Sequence, residues 1–165
     1  DVANRVNNSI GDTFILPKAK VSEFTKLVPG TDGEKMSKSR QNIINIFQSD
    51  KKLRKQIMSI QTDSLALETP KNPDTDTIFA IYSLLASDAQ IHQMRTKYLA
   101  GNYGYGHAKQ ELYELILIKF SKIREQYTYY MEHKELIDEA LAIGATKAKK
   151  VAKEVLERLR SKIGY

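Results

Sequence analysis

The chain has 165 residues, 41% hydrophobic and 28% charged, with no cysteine and a formal net charge of +6. A chain of this length can bury an ordinary core, and the lack of cysteine excludes disulfides and thiolate metal sites. No apolar run approaches the roughly 20 residues that span a bilayer, so we expect no membrane partner, and the basic balance favours a polyanionic one.

The first part of the chain predicts a small mixed α/β piece. Residues 1–8 read as a helix, and Thr13–Leu16 as a short strand that Pro17 ends. A second short strand is predicted at 26–28, ahead of a turn. We therefore expect strands within residues 1–41.

From Asn42 onward, apolar residues three and four apart predict helices almost throughout. Asp50 is expected to cap a helix, Ser87 and Gln90 have the spacing of a capping box, and Gly144 is expected to end a helix. The predicted helices cover 51–60, 74–86, 88–99, 108–131, 135–143 and a last segment through Ile163. The predicted fold class is mainly α: a helical bundle with a small α/β remnant.

One short segment carries chemistry: Lys35-Met36-Ser37-Lys38-Ser39, in a loop flanked by glycine. Two ammonium groups three residues apart, with hydroxyls beside them, can close over a chain of phosphates. They would best stabilise the charge that develops on a leaving pyrophosphate. The alternative is a merely solvated basic loop. The three histidines lie apart and predict no metal site.

The order of motifs around this loop suggests a family. The segment KMSKS matches the second signature of class I aminoacyl-tRNA synthetases at all five positions. It follows PGTDG and precedes IMSIQTDS, PKNPD and GYGHAK in turn. This succession resembles the bacterial tryptophanyl-tRNA synthetases over almost the whole chain. A tyrosyl-tRNA synthetase, or a stand-alone helical RNA-binding module, are the alternatives.

The resemblance implies a role for each residue of the loop. Lys35 and Lys38 would be catalytic, holding the β- and γ-phosphates of ATP in the transition state. Ser37 and Ser39 would support the phosphate contacts, and Met36 would anchor the loop, so that all five residues form the ATP-binding segment. Mg²⁺ would accompany ATP, although no ligand for it is evident in these residues.

The resemblance also implies domains and partners. Residues 1–41 would end a Rossmann-like catalytic domain, and 42–165 would form a helical, carboxy-terminal anticodon-binding domain. The parent enzyme would be a cytoplasmic tryptophan--tRNA ligase that makes tryptophanyl-adenylate and transfers tryptophan to tRNA(Trp). The basic residues expected to contact tRNA phosphates, unless they form a merely solvated face, are Lys147, Lys150, Lys153 and Arg158.

Two expectations follow from what these residues lack. The first class I signature, of the His-Ile-Gly-His type, does not occur in them, nor does the segment that would bind the indole ring. We therefore expect this piece to be inactive alone. The family usually forms homodimers through the missing half, so the piece is expected to be monomeric or weakly associated.

Overall fold

The computed structural model describes residues 1–20 and 27–164. Their regular structure is helical apart from an isolated bridge between Pro29 and Lys35. The helices are α1 (Val2–Ile10), α2 (Asp50–Met58), α3 (Thr77–Ser83), α4 (Asp88–Ala100), α5 (Tyr105–Glu132) and α6 (Lys134–Ile163), with a 3-10 turn at Pro73–Thr75 before α3. The predicted mainly α fold class is confirmed.

The chain divides into two compact units, which are described separately. The larger unit covers Ser22–Thr128, and the smaller one combines Asp1–Val21 with Tyr129–Tyr165. The core of the larger unit brings together the apolar faces of α2 to α5. Its buried members are Leu53, Ile57, Ile60, Ile78, Phe79, Ile81, Tyr82, Met94, Tyr98, Ala108, Leu112, Leu115 and Ile116.

Two helix starts in the larger unit are fixed by side-chain caps. The predicted capping box is present at α4, where the Ser87 N–H donates to Gln90 Oε1 at 2.9 Å. Asp76 caps α3, since its Oδ1 accepts the Phe79 N–H at 2.7 Å and the Tyr98 hydroxyl at 2.9 Å. Because Asp76 has an extended backbone (φ −92°, ψ 128°), the single helix predicted over 74–86 is wrong.

The start of α2 also differs from the prediction. Ser49 is the N-cap residue, and Asp50 is the first helical residue. The Asp50 carboxylate there interacts favourably with the positive end of the helix dipole. Residues 42–49, in which an apolar patch was expected to continue the helical region, form turns and irregular backbone instead.

The smaller unit shows why the strand predicted at Thr13–Leu16 is wrong. Asn7 Oδ1, on α1, accepts the backbone N–H groups of Thr13 (3.0 Å) and Phe14 (2.9 Å). Asn7 Nδ2 donates back to the Phe14 carbonyl at 2.8 Å. These backbone groups are therefore bound by a side chain rather than by a neighbouring strand. Lys26 of the second predicted strand lies outside the described residues, and Leu27 and Val28 are irregular.

The other correction concerns Gly144. It was expected to end a helix, but α6 runs through it without interruption from Lys134 to Ile163. A glycine inside a helix costs only about 1 kcal/mol relative to alanine, which a 30-residue helix can absorb. The left-handed cap lies instead at Gly164 (φ 83°, ψ 28°), whose N–H donates to the Arg160 carbonyl.

Candidate functional sites: a basic loop and a basic helix

The basic loop of the larger unit is a tight turn closed by backbone hydrogen bonds. The Gly30 N–H donates to the Glu34 carbonyl at 2.7 Å, and the Met36 N–H donates to the Val28 carbonyl at 2.9 Å. Gly33, at φ 80°, supplies the left-handed residue that the turn requires. The segment Lys35–Ser39 therefore begins at the end of a turn whose backbone is fixed by these hydrogen bonds.

The chemical groups of this segment face solvent. Lys35, Lys38 and Ser39 are exposed, whereas Ser37 is half-buried. The two serine hydroxyls lie 3.2 Å apart, and the Arg40 N–H donates to Ser37 Oγ at 3.3 Å. Neither lysine forms an ion pair within the described residues. The arrangement offers two ammonium groups and two hydroxyls to an anion approaching from solvent.

Met36 is half-buried and lines an apolar cavity of about 410 Å³. The other apolar residues of its lining are Val28, Ile44, Ile46, Ile81, Leu84, Leu85, Ile116 and Phe120. A flexible thioether suits an irregular apolar space of this kind. This setting supports the predicted anchoring role, which stays a prediction.

Asn42 organises the loop, and the sequence reasoning missed it. It is only 3% exposed. Its Oδ1 accepts the Ser37 N–H at 2.8 Å, while its Nδ2 donates to Asp32 Oδ1 (2.7 Å) and to the Lys35 carbonyl (3.2 Å). The hydrogen bond from Asn42 holds the pKa of the Asp32 carboxyl below its usual range. The only signal in the sequence was an amide set directly before Ile43 and Ile44.

The predicted RNA-contacting residues lie on α6, in the smaller unit. Lys147, Lys150 and Lys153 are exposed, and Lys153 lies 3.6 Å from Glu157. Arg158 differs, because its Nε donates to the Thr13 carbonyl at 2.9 Å. Its guanidinium thus binds the segment that follows α1, whereas the three lysines extend from the helix surface.

The residues around the loop do not form a protein-held Mg²⁺ site. Asp32 accepts hydrogen bonds from Asn42 and from the Glu34 N–H, and the Glu34 carboxylate lies 3.7 Å from Arg40. Across residues 1–20 and 27–164, no group of three or more His, Cys, Asp or Glu side chains could hold a metal ion. In the same part of the chain, no helix is long and apolar enough to cross a membrane.

Comparison with known families identifies the class of protein. The model of the tRNA synthetases class I (W and Y) matches residues 1–121. The chain therefore belongs to this family of class I tRNA synthetases.

Individual relatives show that, within this family, the similarity is to tryptophan--tRNA ligases. The chain is 46% identical over 164 residues to the tryptophan--tRNA ligase of Campylobacter jejuni (strain RM1221), covering 99% of this chain and 51% of that protein. It is 41% identical over 164 residues to the tryptophan--tRNA ligase of Rhodopirellula baltica, with the same coverage. The resemblance to tryptophanyl-tRNA synthetases is confirmed, and the chain spans about half the length of these relatives.

A solved structure agrees. The crystal structure of tryptophanyl-tRNA synthetase from Campylobacter jejuni, complexed with ADP and tryptophan, matches with a TM-score of 0.86 and 45% sequence identity. The match covers 99% of this chain and 51% of that one.

Proposed function

We propose that this chain is part of a tryptophan--tRNA ligase, which activates tryptophan with ATP and transfers it to tRNA(Trp). The observation that carries the proposal is the defined loop that presents Lys35 and Lys38 to solvent, in a chain whose relatives are named tryptophan--tRNA ligase. A helical RNA-binding module without chemistry would have no use for this loop.

The loop supplies positive charge to the triphosphate of ATP. Attack by the tryptophan carboxylate on the α-phosphorus breaks the bond to the bridging oxygen, and negative charge develops on the departing pyrophosphate. Lys35 and Lys38 bind the β- and γ-phosphates as this charge grows, while Ser37 and Ser39 add hydroxyl donors. Met36 anchors the loop through the apolar cavity. Mg²⁺ would accompany ATP and neutralise part of the charge on its phosphates; the described residues offer no cluster of ligands for it.

The basic helix supplies contacts to tRNA phosphates. Lys147, Lys150 and Lys153 form the electrostatic footprint, because they are exposed on α6. Arg158 contributes less, since it already binds the Thr13 carbonyl. The intact enzyme works as a homodimer in the cytoplasm, and residues 1–41 and 42–165 belong to its catalytic and anticodon-binding domains. The chain alone is monomeric or weakly associated and makes no adenylate.

A chimeric enzyme tests this proposal. The amino-terminal half of the Campylobacter jejuni relative is joined ahead of Asp1, and pyrophosphate exchange is measured with tryptophan and with tyrosine. We expect exchange with tryptophan only, and none from the unfused chain. Lys38→Met should lower kcat by about 100-fold or more with a smaller change in KM, because the contact strengthens in the transition state.

Lys122→Met is the matched control, since Lys122 is an exposed lysine on α5 outside the loop. It should leave exchange unchanged. A chimera that exchanges no faster than its amino-terminal half alone would refute the proposal that this chain completes the enzyme. Equal kcat in the two lysine variants would remove the loop from catalysis.

A further inference from the structure

Asn42 lies between the two arms of the basic loop and binds both. On one side, its Nδ2 donates to Asp32 Oδ1, and its carbonyl accepts the Thr31 N–H at 2.9 Å. On the other side, it binds the Lys35 carbonyl and the Ser37 N–H. The buried Asn42 side chain thus connects Asp32, which precedes the motif, to the backbone of Lys35 and Ser37 within it.

The packing around this amide leaves little room for adjustment. A Cβ added to Gly30 would lie 2.4 Å from Asn42 Cγ and Nδ2 and 2.6 Å from its carbonyl oxygen. Glycine at position 30 therefore lets the backbone lie directly against Asn42. The Asp32 carboxylate is held in turn by the Glu34 N–H at 3.0 Å.

We infer that Asn42 is a positioning residue. It fixes the backbone of Lys35 and Ser37 so that the ammonium groups of both lysines of the loop can bind the same phosphate chain. The inference rests on the proposed function of the loop. Asn42 itself is buried, so it acts on a bound phosphate chain through the two backbone groups that it binds. Without it, the ammonium groups would spread over many loop conformations, and binding would have to order them.

The chemistry at this position requires both an acceptor and a donor. Aspartate has the same shape and can still accept the Ser37 N–H, but its second oxygen would face Asp32 Oδ1 and the Lys35 carbonyl. An exchange of the two side chains restores only the hydrogen bond between them. An amide nitrogen in the place of Asp32 Oδ1 could donate to a carboxylate at position 42 but could no longer accept the Glu34 N–H. The exchanged chain also keeps the composition and the net charge of the original.

The experiment uses the chain itself with four variants: Asn42→Asp, Asp32→Asn, the double exchange D32N/N42D, and Gln41→Glu. Gln41→Glu is the matched control, because it adds the same charge at the neighbouring exposed position. Two quantities are measured by NMR: the hydrogen exchange rate of the Ser37 amide, and the affinity for tripolyphosphate from the shift of the Lys38 amide. The near-ultraviolet circular dichroism of the tyrosines confirms folding.

We expect Asn42→Asp to speed exchange at Ser37 and to weaken tripolyphosphate binding, each by about tenfold, because the hydrogen bonds to Asp32 and to the Lys35 carbonyl are lost and two carboxylates then repel each other across the turn. The double exchange should recover part of both, because it restores the hydrogen bond between positions 32 and 42. Gln41→Glu should change Ser37 exchange little. If Asn42→Asp loses its folded spectrum, Asn42→Ser, which adds no charge, replaces it in the same comparison.

Two results would overturn the inference alone: equal weakening in Asn42→Asp and Gln41→Glu, or a double exchange no better than Asn42→Asp. Either would mean that charge or stability, rather than positioning, governs binding. A different result addresses the proposed function. If the unsubstituted chain binds no tripolyphosphate, the loop is not a phosphate site, and the role of Asn42 in positioning it falls as well.

Discussion

Gly101 ends α4 in a conformation that a side chain would strain. Its backbone angles are φ 74° and ψ −177°, a region occupied almost only by glycine. A Cβ at this position would lie 2.3 Å from the backbone oxygen of Glu68. The substitution Gly101→Ala therefore meets a conformational cost and a steric clash together.

The magnitude of the effect follows from these two terms. The strained backbone costs about 1–3 kcal/mol. Relief of the clash requires movement of the segment at Glu68, which the Lys71 N–H ties to the Tyr98 carbonyl at 2.8 Å. We expect a total loss of about 3–4 kcal/mol in the free energy of unfolding. At a urea m-value of about 2 kcal/mol/M, the midpoint falls by about 1.5–2 M.

The assay is urea unfolding followed by the near-ultraviolet circular dichroism of the tyrosines, several of which lie close to Gly101 in the chain. Gly106→Ala is the control, because Gly106 lies in the first turn of α5 and a Cβ there meets nothing within 4 Å. It should raise stability by up to about 1 kcal/mol. The reasoning would be refuted if the two variants had the same midpoint.

The remaining predictions concern a buried cation, the tyrosines and the basic helix. Lys71 is 2% exposed and its ammonium donates to three loop carbonyls at 3.0–3.3 Å, so Lys71→Met should lower the free energy of unfolding by about 2–3 kcal/mol in the same urea assay. Burial, and then the Asp76 carboxylate, raise the pKa of Tyr98 above its ordinary value. Because the pKa of Tyr98 is higher in the folded chain than in the unfolded chain, the contribution of its neutral phenol to the free energy of unfolding is complete below about pH 10 and is lost as pH rises further. Tyr98→Phe should reduce this loss. Arg158→Ala should lower the melting temperature, whereas Lys150→Ala should leave it unchanged and reduce the slope of log affinity for RNA against log salt by about one.

The parts of the fold that could be predicted from the sequence depend on signals between near neighbours. The start of α4 follows from Ser87 and Gln90, three residues apart, and the capping box is present in the structure. The apolar stripe predicted from the spacing in α5 is buried at Leu112, Leu115 and Ile116. The later members of the same stripe are exposed: Ile123, Tyr127, Tyr130 and Met131. Such patterns predict helix starts and buried faces because both depend on residues within one or two turns of each other.

The errors arose where a distant or competing partner decides the structure. Thr13–Leu16 has the residues of a strand, but a strand also needs a neighbour to pair with. The Asn7 side chain binds this backbone instead. Gly144 has the residue type of a helix end, but it lacks the left-handed conformation that makes glycine useful there.

The basic loop shows the same limit at the candidate site. The motif KMSKS shows which chemical groups are present, because ammonium and hydroxyl groups have the same chemistry in any fold. It does not show how those groups are held, since that depends on Asn42, which lies beyond the motif and meets Asp32 ten positions earlier. A second link, from the Gln61 N–H to the Thr31 carbonyl at 2.7 Å, ties the same turn to the end of α2. A chain that kept KMSKS but lost these contacts would still match the family signature while presenting its lysines in no fixed arrangement.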